Sequence, residues 1–134
     1  MLLRGWTNHT QMGIFAMADE ARKPIVWMGS SLKDLREFPA EVRRDIGTAL
    51  YWAETGGIHS TAKRMKGELR DVTEIVSDHD GDTYRAMYTT RIGDTIYVLH
   101  AFQKKSKKGS ATPQRDLDVI GSRLRAARRH AEGE

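Results

Sequence analysis

The sequence predicts an α+β fold built on one antiparallel-rich, four-stranded sheet, and three observations predict it. Two apolar stripes at helical spacing lie early in the chain, three strand patterns follow one another between Val72 and Phe102, and one long amphipathic stripe comes last. The expected order is β-α-α-β-β-β-α, with an N-terminal helical hairpin and a C-terminal helix. A chain of 134 residues, 39% hydrophobic and 30% charged, with three prolines, has the bulk for one domain whose core needs no disulfide or structural metal.

Met1 to Arg22 shows neither helical nor strand periodicity, so it is set apart as an arm expected to be flexible, and residues 23–134 are taken as the domain. Ile25-Val26-Trp27-Met28 is a short apolar run ending in Gly29-Ser30-Ser31, the pattern of a buried strand that leads into a helix cap. Leu32, Leu35 and Phe38 then fall at helical spacing. Pro39 restarts a second helix, in which Val42, Ile46, Ala49, Leu50 and Ala53 form one stripe until Thr55-Gly56-Gly57 stops it. Ile58 to Glu68 reads as a polar connection.

The sheet pattern begins with the alternation of Val72-Thr73-Glu74-Ile75-Val76. Asp78-His79-Asp80-Gly81-Asp82 supplies turn chemistry, Thr83 to Arg91 the next strand, Gly93-Asp94 another turn, and Thr95 to Phe102 a β-branched and aromatic third strand. After a polar loop, Thr112-Pro113 places a cap before proline at the first helical position. The last helix runs to about Ala131, with Leu117, Ile120 and Leu124 docking while Arg123, Arg125, Arg128 and Arg129 mostly face outward.

Composition narrows the function classes. The absence of cysteine removes disulfide frameworks, thiolate zinc sites and cysteine nucleophiles, and fits a reducing compartment. No apolar run reaches the roughly 18 to 20 residues that span a membrane, and the start lacks an apolar signal core, so a soluble, cytoplasmic protein with no membrane partner is expected. The net charge of +4 is unevenly distributed: residues 1–100 carry 13 basic and 14 acidic side chains, residues 101–134 nine and four. A basic end beside a neutral body is the footprint of a protein that meets phosphate backbones.

Arg85 stands in mid-strand, and a buried, unpaired guanidinium is very costly. It therefore either pairs with Glu74 or another acid across the strands, or holds a phosphate in bidentate fashion. His100, which by alternation shares a face with Val98, Phe102 and Lys104, is either a packed core group or a titrating group in the company of Gln103, Lys104, Lys105, Lys107 and Lys108. The lysine run by itself also reads as a solvated loop. Asp78, His79, Asp80 and Asp82 suggest a metal cluster, yet a hairpin turn calls for those residue types and the EF-hand spacing fails, so no metal is assigned.

Three stretches carry a resemblance. Trp27-Met28-Gly29-Ser30-Ser31-Leu32-Lys33-Asp34-Leu35, Tyr84-Arg85-Ala86-Met87-Tyr88, and Val98-Leu99-His100-Ala101-Phe102-Gln103-Lys104-Lys105-Ser106 with Thr112-Pro113 resemble the phage-derived branch of the HigB toxins, within the RelE-like superfamily. The resemblance spans about Lys23 to Arg129. It implies a RelE-like sheet with flanking helices, a type II toxin that cleaves translated messenger in the ribosomal A site, and neutralisation by an antitoxin, often a helix-turn-helix protein. It makes Arg85 the contact to the scissile phosphate, and His100, Lys104 and Lys66 the remaining catalytic candidates. Lys63, Lys105, Lys107 and Lys108 become RNA contacts. Some relatives end in a catalytic Tyr-His near the last strand, where this chain continues into a helix.

The inventory suits that chemistry without a cofactor. Attack by the RNA's own 2′-OH needs a base, a cation for the charged phosphorane and an acid for the leaving 5′-oxygen. A lysine serves as base or acid only where burial or neighbouring cations lower its pKa. The rival reading is a nonenzymatic RNA- or protein-binding module of the same fold. A nuclease needs Arg85 and the His100 to Lys105 stretch on one open concavity, whereas a module buries or salt-bridges them. DNA binding through the Arg-rich last helix is a lesser option, because the intervening sheet argues against a helix-turn-helix.

Overall fold

In the computed structural model, which describes residues 22–104 and 111–133, the chain forms strand β1 (Ile25–Trp27), helices α1 (Ser31–Arg36) and α2 (Ala40–Glu54), strands β2 (Ala62–Arg64), β3 (Thr73–His79), β4 (Asp82–Ile92) and β5 (Thr95–Lys104), and helix α3 (Gln114–Ala131). A 3₁₀ turn, Gly67–Leu69, lies between β2 and β3. The sheet order is β1-β5-β4-β3-β2; β1 runs parallel to β5 and every other pair is antiparallel. The α+β class, the helical hairpin and the antiparallel-rich sheet are as expected, but the sheet has five strands rather than four.

The additional strand lies inside the segment read as a polar connection. It is three residues long, and its Lys63 and Arg64 are exposed. Short, charged strands are what sheet edges use to avoid pairing with other chains, which is why no apolar alternation marks β2. The β3–β4 hairpin closes through Asp80 and Gly81, with φ of 51° and 83°, between the paired residues His79 and Asp82. Two left-handed central residues match a type I′ turn, and Asp-Gly is a preferred pair for it. Arg22, assigned to the arm from sequence, is tied to Glu54 at 2.6 Å; residues 1–21 lie outside the described part.

Both faces of the sheet carry core. Leu35, Phe38, Val42, Ile46, Ala49 and Leu50 of the hairpin region pack on Ile75, Tyr88, Ile96 and Val98, while Ile120, Leu124 and Ala127 of α3 pack on Val72, Met87, Tyr97 and Leu99. The sheet face opposite the helical hairpin is thus partly covered by α3. Burial on two sides explains why β5 reads as a near-continuous apolar strand. Among the described residues no helix is long and apolar enough to cross a membrane.

A β-bulge overturns the alternation read for β5. Met87 pairs with His100 and Tyr88 with Val98, so Leu99 has no partner in the register. Val98 consequently packs on the α1–α2 side, while Leu99 and Phe102 pack on the α3 side, and His100 stacks on Phe102 rather than sharing a face with Val98. Arg123 departs from its expected outward course as well. Its Nη1 donates to the Leu99 carbonyl at 3.0 Å and its Nη2 to Ser30 Oγ at 3.3 Å. The guanidinium lies against Gly29, whose φ is +53° and where a Cβ would stand 2.6 Å from Arg123 Cζ. Glycine is required there both for the backbone angle and for the space.

Gly29→Ala is therefore expected to lower stability by about 1–3 kcal/mol, from left-handed strain together with weakened charge-assisted hydrogen bonds. In an Arg123→Met background the same substitution should cost only the strain, about 1 kcal/mol, in urea denaturation; equal costs in both backgrounds would refute the coupling.

Candidate functional site

Cross-strand pairs in an antiparallel sheet share a face. On the α3 side the register sets out the row Lys63, Glu74, Met87 and His100, beside the pair Arg85 and Phe102 and the pair Thr83 and Lys104. Sequence-distant groups thus converge where the N-terminal end of α3 meets β4 and β5. Arg85 reaches across to β3, where its own partner in the register is Val76, to form an ion pair with the Glu74 carboxylate opposite Met87. Its Nη1 also donates to Thr112 Oγ1 at 3.3 Å, and its Nε is buried without a hydrogen-bond partner among the described residues. The charge-neutralising partner makes burial of this arginine tolerable, and the acid pair named as one alternative in the sequence is present here.

Thr112 does not cap α3 as expected. Pro113 occupies the N-cap position and no side-chain cap bond forms. One turn on, Asp116 Oδ1 accepts a hydrogen bond from His100 Nε2 at 2.8 Å. The His100 ring stacks on Phe102, with centroids 4.8 Å apart and planes 22° from parallel, and its Nδ1 is buried without a hydrogen-bond partner among the described residues. Lys104 is 3% exposed. Burial pushes its ammonium pKa below the usual lysine value, the Arg85 charge pushes it further down, and Glu74 offsets part of the shift.

The remaining candidates are placed differently. Lys63 is exposed on β2, at the outer end of the row through Glu74. Lys66 is exposed beside the 3₁₀ turn and lines a groove of about 720 Å³ with Gln114, Leu117, Asp118 and Arg125; neither Arg85 nor His100 lines that groove. Lys105, Lys107 and Lys108 lie outside the described residues. His79 contacts Glu41 at 3.1 Å and Asp80 at 3.4 Å, while Asp78 accepts from Thr83, and among the described residues no group of three or more ligating side chains is arranged around a metal position.

Three members of the cluster escaped functional assignment from the sequence: Glu74, Thr112 and Asp116. Glu74 appeared there only as a possible ion-pair partner. The one local signal for it was a carboxylate beside the apolar pair Ile75-Val76, and Asp116 looked like an ordinary acid in a first helical turn.

Residues 33–125 match the family described as "Phage derived protein Gp49-like (DUF891)". The chain also resembles the crystal structure of the toxin-antitoxin complex RelBE2 from Mycobacterium tuberculosis, with a TM-score of 0.45 and 14% sequence identity over 64% of this chain and 95% of that one. No curated protein matches the sequence.

The folded protein holds the Lys104 proton less tightly than the unfolded chain does, so the stability lost by burying this ammonium is greatest below the folded pKa and is recovered as pH rises toward about 10.5. The stability of Lys104→Met relative to the parent should accordingly be highest near neutrality and fall as pH rises. Denaturant midpoints between pH 7 and 10.5 check this, and a pH-independent difference would contradict the shift.

Proposed function

We propose that this chain, which belongs to the phage-derived Gp49-like family, is the toxin of a type II toxin-antitoxin pair and a metal-independent endoribonuclease acting on translated messenger. The observation that carries the proposal is the convergence of Arg85, Glu74, His100 and Lys104 on one sheet face at the start of α3. The resemblance of the Tyr84-Arg85 and His100 to Lys105 stretches to HigB toxins supplies the ribosome as the setting and an antitoxin, of the helix-turn-helix kind, as the partner.

In this mechanism an RNA phosphate competes with Glu74 for Arg85. Once the guanidinium turns to the phosphate, the Glu74 carboxylate is free to accept the 2′-OH proton. The 2′-oxygen attacks phosphorus, Arg85 and the Lys104 ammonium stabilise the negative phosphorane, and the P–O5′ bond breaks to leave a 2′,3′-cyclic phosphate. Protonated His100, oriented by Asp116, delivers the proton to the departing 5′-oxygen. Lys63 and Lys66 contact backbone phosphates farther along the strand, as do Lys105, Lys107 and Lys108. The ribosome contributes by holding messenger in a reactive geometry.

A second reading has an observation of its own. Arg85 is ion-paired with Glu74, His100 is hydrogen-bonded to Asp116, and both are largely buried, with side chains 15% and 11% exposed, the arrangement expected of a nonenzymatic binding module. The cluster has both properties at once, convergence and neutralisation, so the decision falls to activity.

Arg85→Ala is expected to abolish growth arrest and to reduce cleavage on the order of 100-fold or more. That substitution also strands a buried carboxylate, at a cost of about 3–5 kcal/mol. The double variant Arg85→Met/Glu74→Gln removes both charges and separates lost chemistry from lost folding. Induced expression with mapping of messenger 5′ ends, with and without the adjacent gene, reads the outcome. A soluble, folded double variant that still arrests growth and cuts within codons refutes the assignment, and a folded parent that does neither favours the binding module.

A further inference from the structure

Among the described residues three large apolar side chains are exposed, Tyr51 at 42%, Trp52 at 48% and Ile58 at 52%, and all three lie at the C-terminal end of α2 or in the loop that follows it. Arg44, Asp45 and Thr48 are exposed as well, and together with Tyr51 and Trp52 they fall at the three- and four-residue spacings of one helix face. The charged half of that face precedes Thr48 and the aromatic half follows it. We propose that this face binds a second copy of the chain, α2 against α2, in a two-fold antiparallel arrangement centred on Thr48. The proposal does not depend on the nuclease reading, because α2 covers the sheet face opposite the one against which α3 packs.

The face is its own complement. In an antiparallel pair centred on one residue, positions three and four before the centre in one helix come opposite positions three and four after it in the other, since both rise equally per residue. Arg44 of each copy then faces Trp52 of the other, and Asp45 faces Tyr51. The first contact sets a guanidinium over an indole, the ring that attracts cations best. The second sets a phenol hydroxyl, which donates, against a carboxylate, which accepts. Asp45 Oδ2 already accepts from Ser77 Oγ at 2.8 Å, and its other oxygen serves the Tyr51 hydroxyl. Two-fold symmetry makes each contact twice.

Other arrangements fit the face less well. A parallel pair would set Arg44 beside Arg44 and Asp45 beside Asp45, like against like. A partner of uniform charge would satisfy Arg44 or Asp45 and oppose the other, whereas a second copy answers both. Thr48 is small enough to stand at the crossing, where helix axes approach to about 8–10 Å. The contact is nevertheless modest in extent. A helix of 15 residues is about 22 Å long, small for a standard interface of about 1,600 Å², so the dimer is expected in the micromolar range. The groups around Arg85 lie on the far face of each sheet and remain outside the interface.

Sedimentation velocity of the purified full chain from about 2 to 300 μM tests the pairing, with circular dichroism as the check on folding. The parent should pass from monomer to dimer within that range. Trp52→Arg, which sets a second cation against Arg44, and Arg44→Glu, which takes the cation from the indole, should each weaken self-association at least about tenfold. Mixed in equal amounts, the two variants should dimerise about as well as the parent. In the mixed pair the cation introduced at position 52 of one copy faces the carboxylate introduced at position 44 of the other, while the second Arg44–Trp52 contact is kept. A parent that stays monomeric throughout gives the face to another occupant and overturns the proposal. So does a Trp52→Arg protein that dimerises undiminished, or a mixture that associates no better than either variant alone.

Discussion

The guanidinium of Arg123 is the contact on which the geometry of the cluster depends. From the middle of α3 it reaches the carbonyl of the bulged Leu99 and the hydroxyl of Ser30, tying the last helix to β5 and to the loop that enters α1. A bulge leaves a backbone group outside the ladder, and a buried carbonyl without a donor is unfavourable, so the arginine gives the irregularity a satisfied hydrogen bond. The bulge in turn brings Leu99, His100 and Phe102 to the α3 side in close succession. With regular alternation the two-residue step from Val98 would have kept His100 on the face that the helical hairpin covers, away from Asp116.

Charge neutralisation is the second constraint. The α3 side of the sheet holds Arg85, His100 and Lys104, all mostly buried, and two carboxylates accompany them, Glu74 from β3 and Asp116 from α3. Neutralising acids make such a cluster compatible with a folded core, because the penalty for burying an unpaired charge exceeds that of most other local defects. They also define how it can respond. A phosphate that enters must be a better partner for Arg85 than Glu74 is, and when it succeeds the carboxylate becomes available as a base. The same groups that permit folding thereby set the conditions for chemistry.

Much of the framework was legible in the residues. The stripe of Val42, Ile46, Ala49 and Leu50, the Asp80-Gly81 turn and the long run from Thr95 to Phe102 each carry their structure locally, through periodicity or required backbone angles, and each is found where it was expected. The strand β2 was hidden because an edge strand of Ala62, Lys63 and Arg64 has no apolar face to declare. Glu74 and Asp116 were hidden as site residues because their significance lies in partners 11 and 16 positions away.

The sequence by itself determined the α+β class, the hairpin of helices, the meander and the identity of Arg85 and His100 as residues whose charge or polarity demanded an explanation. Those conclusions rest on spacing along the chain and on the cost of burying polar groups. Tertiary structure decided what satisfies them: Glu74 for Arg85, Asp116 for His100, burial for the lowered pKa of Lys104, and Arg123 for the bulge. No local pattern encodes these choices. Each depends on which strand lies beside which, and on a one-residue irregularity in β5 whose carbonyl Arg123 of α3 satisfies.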